Sequence, residues 1–179
     1  MAETSTLSWD DLPDENFTED DVKGAEAMGK LPLGRFLCTC VQSLRRQKDF
    51  NNYSCTAANL KWRVDRVLEL GGVKVEGDEA DGYIGRFMFD DVNMSSPEEK
   101  DGMRQRRIFV AKRTGLIANS SGTITAPMWA TGIIGNQTIL TNEDQTNEKT
   151  GKVYRNVAFY GYEAITDAAS TSGDDYSDL

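Results

Sequence analysis

The feature that most constrains the fold of this chain is a long alternation of apolar and polar side chains between residues 53 and 70. The alternation is clearest over residues 60–65. There the apolar residues Leu60, Trp62 and Val64 alternate with the charged residues Lys61, Arg63 and Asp65. A period of two places each group on its own face of an extended strand. The segment therefore predicts a long strand with one face in a core and the other in solvent.

Four other segments have strand character and are bounded by turn-forming residues. They are residues 35–46, 82–89, 132–142 and 152–162. Gly71 and Gly72 begin a predicted loop before the third strand, and Gly85 predicts a bend within it. The polar stretch 143–151 predicts a hairpin loop between the last two strands. The chain is thus expected to be mainly β.

One helix is predicted between the third and fourth strands. Ser96 is a good N-cap, Pro97 suits the first helical position, and the acidic residues that follow favour the helix dipole. The helix is expected to run towards Arg113, with Gly115 as its C-cap. The order β1-β2-β3-α-β4-β5 is typical of a five-stranded OB-like barrel. Another small antiparallel barrel or a sandwich is the structural alternative.

The net charge of −9 is unevenly distributed along the 179 residues. Residues 1–27 carry −8, residues 163–179 carry −5, and residues 28–162 carry +4. We therefore divide the chain into an acidic N-terminal segment (1–29), a mildly basic domain (30–165) and an acidic C-terminal tail (166–179). A basic domain suits a polyanionic partner even when the whole chain is acidic.

The tail from residue 170 is small, polar and acidic, a composition that predicts disorder. A tethered polyanion competes for a basic surface at high effective concentration, which gives the tail a regulatory role. The tail is also expected to dock partner proteins. The residues assigned to these two roles are Asp174, Asp175, Tyr176, Asp178 and Leu179. A solubilising tail is the alternative. The role of the N-terminal segment stays open.

The residue types disfavour an enzyme. The chain has no histidine, which removes Ser-His-Asp and Cys-His catalysis, and it lacks phosphate-loop, dinucleotide and nucleophile-elbow motifs. Cys38 and Cys40 are expected to pack in the core as reduced thiols rather than bind zinc. A metal site at Asp90 and Asp91 is a weaker alternative to a structural role. We expect no catalytic residue, no metal and no cofactor.

Cations and aromatic rings on the exposed faces of the predicted strands suit single-stranded DNA, which needs both phosphate contacts and stacking surfaces. In the last strand, alternation separates Val153, Val157 and Phe159 from Tyr154, Asn156, Tyr160 and Tyr162, and the second group is the stacking candidate. The predicted nucleic-acid-binding residues are Lys61, Arg63, Tyr83, Arg86, Tyr154, Arg155 and Tyr160, with Arg104 and Arg107 of the helix as a secondary phosphate-binding rim.

Three short motifs carry a resemblance to a known family. They are Leu31-Pro-Leu-Gly-Arg-Phe36, Gly85-Arg-Phe-Met-Phe89 and Val153-Tyr-Arg-Asn-Val157. With the acidic tail, they resemble phage and prophage single-stranded DNA-binding proteins of replication and recombination cassettes. The resemblance implies sequence-tolerant coating of single-stranded DNA, with replication or recombination proteins as partners of the tail. The tail ends in Leu179, whereas the bacterial pattern ends in Pro-Phe.

A different class of function is the alternative: a structural or protein-interaction module of a virus, such as a virion component or an inhibitor that mimics DNA. The absence of a long apolar run predicts no membrane association, and we expect the chain in the cytoplasm. Pairing of an exposed strand edge between copies would give a homo-oligomer.

Overall fold

The computed structural model describes residues 14–22, 30–49, 53–95 and 101–165. The chain divides into two units, Met1–Lys30 and Leu31–Leu179. In the first unit, residues 19–22 form one helical turn that Thr18 caps. The Thr18 amide donates to Asp21 Oδ2 at 2.7 Å, and the Asp21 amide donates to Thr18 Oγ1 at 3.3 Å. This reciprocal cap lowers the pKa of the Asp21 carboxyl.

The described residues of the second unit form one antiparallel sheet and one α-helix. The strands are β1 (Gly34–Asp49), β2 (Ser54–Leu70), β3 (Val73–Lys74), β4 (Phe87–Ser95), β5 (Gln137–Thr146) and β6 (Val153–Glu163), and the helix is α1 (Asp101–Arg113). The sheet order is β3-β2-β1-β5-β6, and β4 pairs with β2. The mainly β prediction is confirmed. The five predicted strands correspond to β1, β2, β4, β5 and β6, with α1 before β5.

Three predicted boundaries differ from the structure. The third predicted strand begins at Phe87 rather than residue 82, because a 3-10 turn at Asp81–Tyr83 and a positive φ of 83° at Gly85 precede it. The fourth begins at Gln137 rather than residue 132, after a π-helical turn at Met128–Gly132. The predicted loop after Gly72 contains the short strand β3. The predicted helix N-cap at Ser96 lies outside the described residues.

The core lies on the inner face of the sheet and follows the predicted alternation. Leu60, Trp62 and Val64 of β2 are fully buried, whereas Arg63 between them is exposed. Cys38 and Cys40 of β1 are buried as free thiols, as predicted. Burial raises the pKa of the Cys40 thiol to about 11. Each fully buried large apolar side chain contributes roughly 1.5–3 kcal/mol to the stability of the fold.

β4, which branches off the strand order at β2, and β6, at one end of that order, are not paired with each other in the described part of the chain. Arg106 of α1 joins them instead. Its Nε donates to the Phe159 carbonyl at 3.1 Å and its Nη1 to the Asp91 carbonyl at 3.2 Å. One buried side chain thus supplies hydrogen bonds to the backbone of both strands, and the sheet is not closed by a backbone ladder.

An irregularity in β6 overturns the predicted faces of that strand. Leu140 pairs with Tyr162 and Asn142 pairs with Val157, so two positions along β5 correspond to five along β6. The three extra residues form a bulge, and a bulge reverses which side chains face inward. Val157 and Tyr162 are therefore both buried. The prediction that Tyr162 belongs to an exposed stacking face is wrong.

Candidate nucleic-acid interface

The outer face of β2 and β4 brings cations and exposed aromatic rings together. Lys61 pairs with Phe89 and Arg63 with Phe87 in the β2–β4 ladder. The two phenylalanines are 45% and 47% exposed. Lys61 Nζ lies 4.0 Å from the centroid of the Phe87 ring and 6.0 Å from that of Phe89. This face presents the cations and flat rings that single-stranded nucleic acid requires.

The strand period explains why both phenylalanines are exposed. Met88 between them is buried in the core, so its two neighbours must point outward. Residues two apart on a strand are separated by about 6.6 Å, which leaves room for one ring beside the next. The nucleic-acid-binding residues predicted from the sequence in this region are Tyr83 and Arg86, and they do not include Phe87 and Phe89. Strict alternation around Met88 would have identified them.

Two further cations extend the face along β1. Arg46 Nη1 and Lys48 Nζ lie 3.5 and 3.3 Å from Asp91 Oδ2. Asn59 Nδ2 donates to Asp91 Oδ1 at 2.7 Å. One carboxylate therefore contacts both cations. Neither Arg46 nor Lys48 was among the predicted site residues.

The two acids considered as a metal site point in different directions. Asp91 faces the cations of β1. Asp90 instead forms an ion pair with Arg106 on the inner side, with 2.7 Å between Asp90 Oδ2 and Arg106 Nη2. In the described ranges, no group of three or more histidine, cysteine, aspartate or glutamate side chains is placed to hold a metal ion. The contacts of Asp90 therefore support a structural role for this residue rather than a role in metal binding.

A depression of about 370 Å³ continues the interface across the gap between β4 and β6. Its walls include Arg46, Lys48 and Phe89 on one side and Asn156 and Phe159 on the other. The Phe159 ring is 46% exposed and lies under the Arg106 guanidinium, whose Cζ is 4.6 Å from the ring centroid. A third exposed ring therefore lies along the same route.

Tyr83 and Arg86 form a stacked pair just before β4, with Arg86 Cζ 5.0 Å from the Tyr83 ring centroid. The Val64 amide donates to the Arg86 carbonyl at 2.8 Å, so Arg86 lies beside Val64 in register. Val64 faces the core. By strand alternation Arg86 is offset from the face that carries Arg63 and Phe87.

The predicted residues of β6 have different environments. Tyr154 is 47% exposed and Tyr160 63%, and Tyr160 packs edge-on against Phe109 with a centroid distance of 5.4 Å. Arg155 uses its guanidinium in intramolecular hydrogen bonds. It donates to both carboxylate oxygens of Asp144 at 2.7 and 2.8 Å and to the Leu31 carbonyl at 2.8 Å. The hydrogen bonds to Asp144 raise the pKa of Arg155.

Arg104 and Arg107 of α1 line a separate, larger groove away from Phe87 and Phe89. Arg107 Nη1 donates to the Asn93 carbonyl at 3.2 Å, and burial lowers the pKa of its guanidinium. The predicted tail residues, Asp174, Asp175, Tyr176, Asp178 and Leu179, lie outside the described residues. Of the predicted residues, Lys61 and Arg63 thus lie on the face that carries Phe87 and Phe89, whereas the residues of β6 and α1 lie elsewhere.

Comparison with protein-family models and with curated proteins finds no match for this chain. Among the described helices, none is long and apolar enough to cross a membrane.

Proposed function

We propose that this protein binds single-stranded DNA with little sequence preference and performs no chemistry on it. The observation that carries the proposal is the position of Lys61 over Phe87 and beside Phe89 on one exposed sheet face. Base stacking on aromatic side chains is sequence-tolerant, because every base has a π face. The lysine and the nearby Arg63 supply the phosphate contacts.

The arrangement of the sheet supports the same proposal. An OB barrel is a small sheet with one helix before its fourth long strand, and it binds oligonucleotides on the face of its second and third strands. Here β2 and β4 are the second and third long strands, and they carry Lys61, Phe87 and Phe89. In this proposal Arg106 performs the closure between β4 and β6 that a ladder provides in a complete barrel.

The charge distribution supports a regulated interaction. The acidic tail lowers the positive potential that attracts phosphates, so weak binding is suppressed while an extended strand still binds. By the resemblance described above, such a protein coats single strands during viral replication or recombination. This role needs no metal and no cofactor.

The test is fluorescence anisotropy of the full chain with a labelled oligothymidylate at several salt concentrations. We expect affinity to fall with salt, and the double variant Phe87→Leu with Phe89→Leu to weaken binding by roughly 1–3 kcal/mol per lost stack. Phe17→Leu is the matched control, since Phe17 is 76% exposed in the first unit. It should bind as the unchanged chain does.

Three results would count against this assignment. No binding at low salt would exclude the function and favour a structural or protein-interaction module. Equal affinity of the Phe87/Phe89 variant and the Phe17 control would remove the interface from β4. If Tyr154→Leu with Tyr160→Leu weakened binding instead, the stacking surface would lie on β6.

A further inference from the structure

A second group of exposed aromatic rings lies where β6 passes α1. Phe159 and Tyr160 are both exposed, and their ring centroids are 4.7 Å apart at an interplanar angle of 82°. Tyr160 also packs edge-on against the half-buried Phe109 of α1, at an interplanar angle of 86°. A contiguous patch of exposed apolar surface marks a place where a partner binds.

The bulge in β6 is what exposes both rings. In a regular strand two consecutive side chains point to opposite faces, so one of the two rings would enter the core. Phe159 and Tyr160 lie between Val157 and Tyr162, in the stretch where β6 carries its extra residues. Bulges of this kind redirect side chains and are frequent beside functional sites. The local irregularity of β6 thus builds a surface of adjacent rings.

Two arginines of α1 accompany these rings. The guanidinium of Arg106 is buried and lies over Phe159, so the exposed surface of that ring is on its outer side. The Cζ atom of Arg113 lies 5.3 Å from the centroid of the Phe109 ring. Single-strand sites combine flat rings for stacking with cations for phosphate groups. The patch on β6 and α1 therefore has the same kind of chemistry as the face of β2 and β4.

The depression between β4 and β6 connects the two surfaces. Phe89 from the β2–β4 face and Phe159 from the second patch both line it. The polar side chain of Asn156 and the cation of Lys48 line it as well. A nucleic-acid strand that leaves Phe89 can therefore reach Phe159 along a continuous concave surface with polar groups at its sides.

We infer that single-stranded DNA bound on the β2–β4 face continues across the depression and stacks on Phe159 and Tyr160, with Arg113 as a phosphate contact. The inference rests on the proposed function and extends its site. The protein would then hold one strand on two stacking segments in series. The first segment is Phe87 with Phe89, and the second is Phe159 with Tyr160. Only an oligonucleotide long enough to cross the depression occupies both.

The experiment compares oligothymidylates of about 4 and about 16 nucleotides, the two ends of the range of site sizes for OB folds. Each is titrated with the full chain by fluorescence anisotropy. Phe159→Leu with Tyr160→Leu should lower the affinity for the longer oligonucleotide about tenfold or more, because base stacks are lost. The affinity for the shorter one should stay within about twofold, because the first segment still binds it.

Tyr154→Leu is the matched control for the ring variant. Tyr154 lies on the same strand and is exposed, but it is not among the residues that line the depression. Its replacement should leave the affinity for both oligonucleotides within about twofold.

A second variant, Arg113→Gln, keeps every ring and removes one cation. For the longer oligonucleotide, the slope of log affinity against log salt concentration should become shallower by about 0.7, the value for one phosphate contact to a single strand. For the shorter oligonucleotide the slope should not change. This measurement tests the second segment even if the ring variant does not fold.

The outcomes separate this inference from the proposed function. If neither oligonucleotide binds the unchanged chain at low salt, the proposed function fails and the inference fails with it. If both bind but the ring variant keeps its affinity for the longer one, the DNA path ends on the β2–β4 face and the inference alone is wrong. It is also wrong if sedimentation shows that the unchanged chain is a dimer and the ring variant a monomer with full DNA affinity. The patch would then be an interface between copies.

Discussion

The hydroxyl group of Tyr162 in β6 donates a 2.5 Å hydrogen bond to Asp90 Oδ2 in β4. Arg106 Nη2 donates to the same oxygen at 2.7 Å, and both partners of this ion pair are less than 10% exposed. Burial, followed by the nearby Asp90 charge, raises the pKa of Tyr162. Side chains of three elements thus hold β4 and β6 together where their backbones form no ladder.

Replacement of Arg106 tests how much this cluster contributes to the fold. Arg106→Met leaves Asp90 as a buried charge without its ion-pair partner, a change that typically costs about 3–5 kcal/mol. Urea denaturation should therefore show a large fall in the free energy of unfolding. Arg104→Met, an exposed position on the same helix, is the control and should change stability by about 0.5 kcal/mol or less. Similar losses in both variants would show that the cluster is not stabilising.

The bulge in β6 depends on Gly161. A Cβ at this position would lie 2.5 Å from the Thr141 carbonyl oxygen and 2.9 Å from Ala158 Cβ. Because backbone and a short side chain cannot move aside cheaply, Gly161→Ala should destabilise the protein by roughly 1–3 kcal/mol. The measurement is the thermal or urea midpoint.

Gly102→Ala is the control for that substitution. A Cβ at Gly102, a residue of α1, would meet no tertiary neighbour within 4 Å among the described residues. Alanine is the better helix former, so this variant should be unchanged or slightly more stable. Equal destabilisation by the two variants would contradict the steric explanation.

The buried thiols predict a fall in stability at alkaline pH. Burial raises the pKa of Cys40 from 9.0 to about 11, so the native state keeps a proton that the unfolded state releases. The contribution of Cys40 is present in full below pH 9 and is lost as pH rises from about 9 to 11. Cys40→Ala should therefore show a shallower decline over this range in urea denaturation series.

Ser43→Ala on the same strand is the control for the pH effect, since a serine hydroxyl does not titrate in this range. It should keep the slope of the unchanged chain. If Cys40→Ala and the unchanged chain had the same slope between pH 9 and 11, the thiol would not be linked to folding.

The predictions that held were those that depend on local pattern. The alternation around Trp62 placed one face of β2 in the core because a strand repeats every two residues. Likewise, Cys38 and Cys40 were expected in the core because small thiols are rarely exposed. The prediction failed in β6, where the residues on both sides of Gly161 belong to a bulge that follows no period. The close approach of Thr141, which permits only glycine there, comes from another strand.

The sequence alone determined the mainly β class, the order of the strands and the helix, and the division between a basic middle and acidic ends. These follow from periodicity, turn residues and charge, which are properties of neighbouring positions. Only the tertiary structure decided which cations meet which rings. Phe87 and Lys61 lie 26 positions apart and become neighbours through the β2–β4 register, and Arg106 joins two strands that are distant in sequence. Such contacts depend on how the sheet curves and packs, which local pattern does not encode.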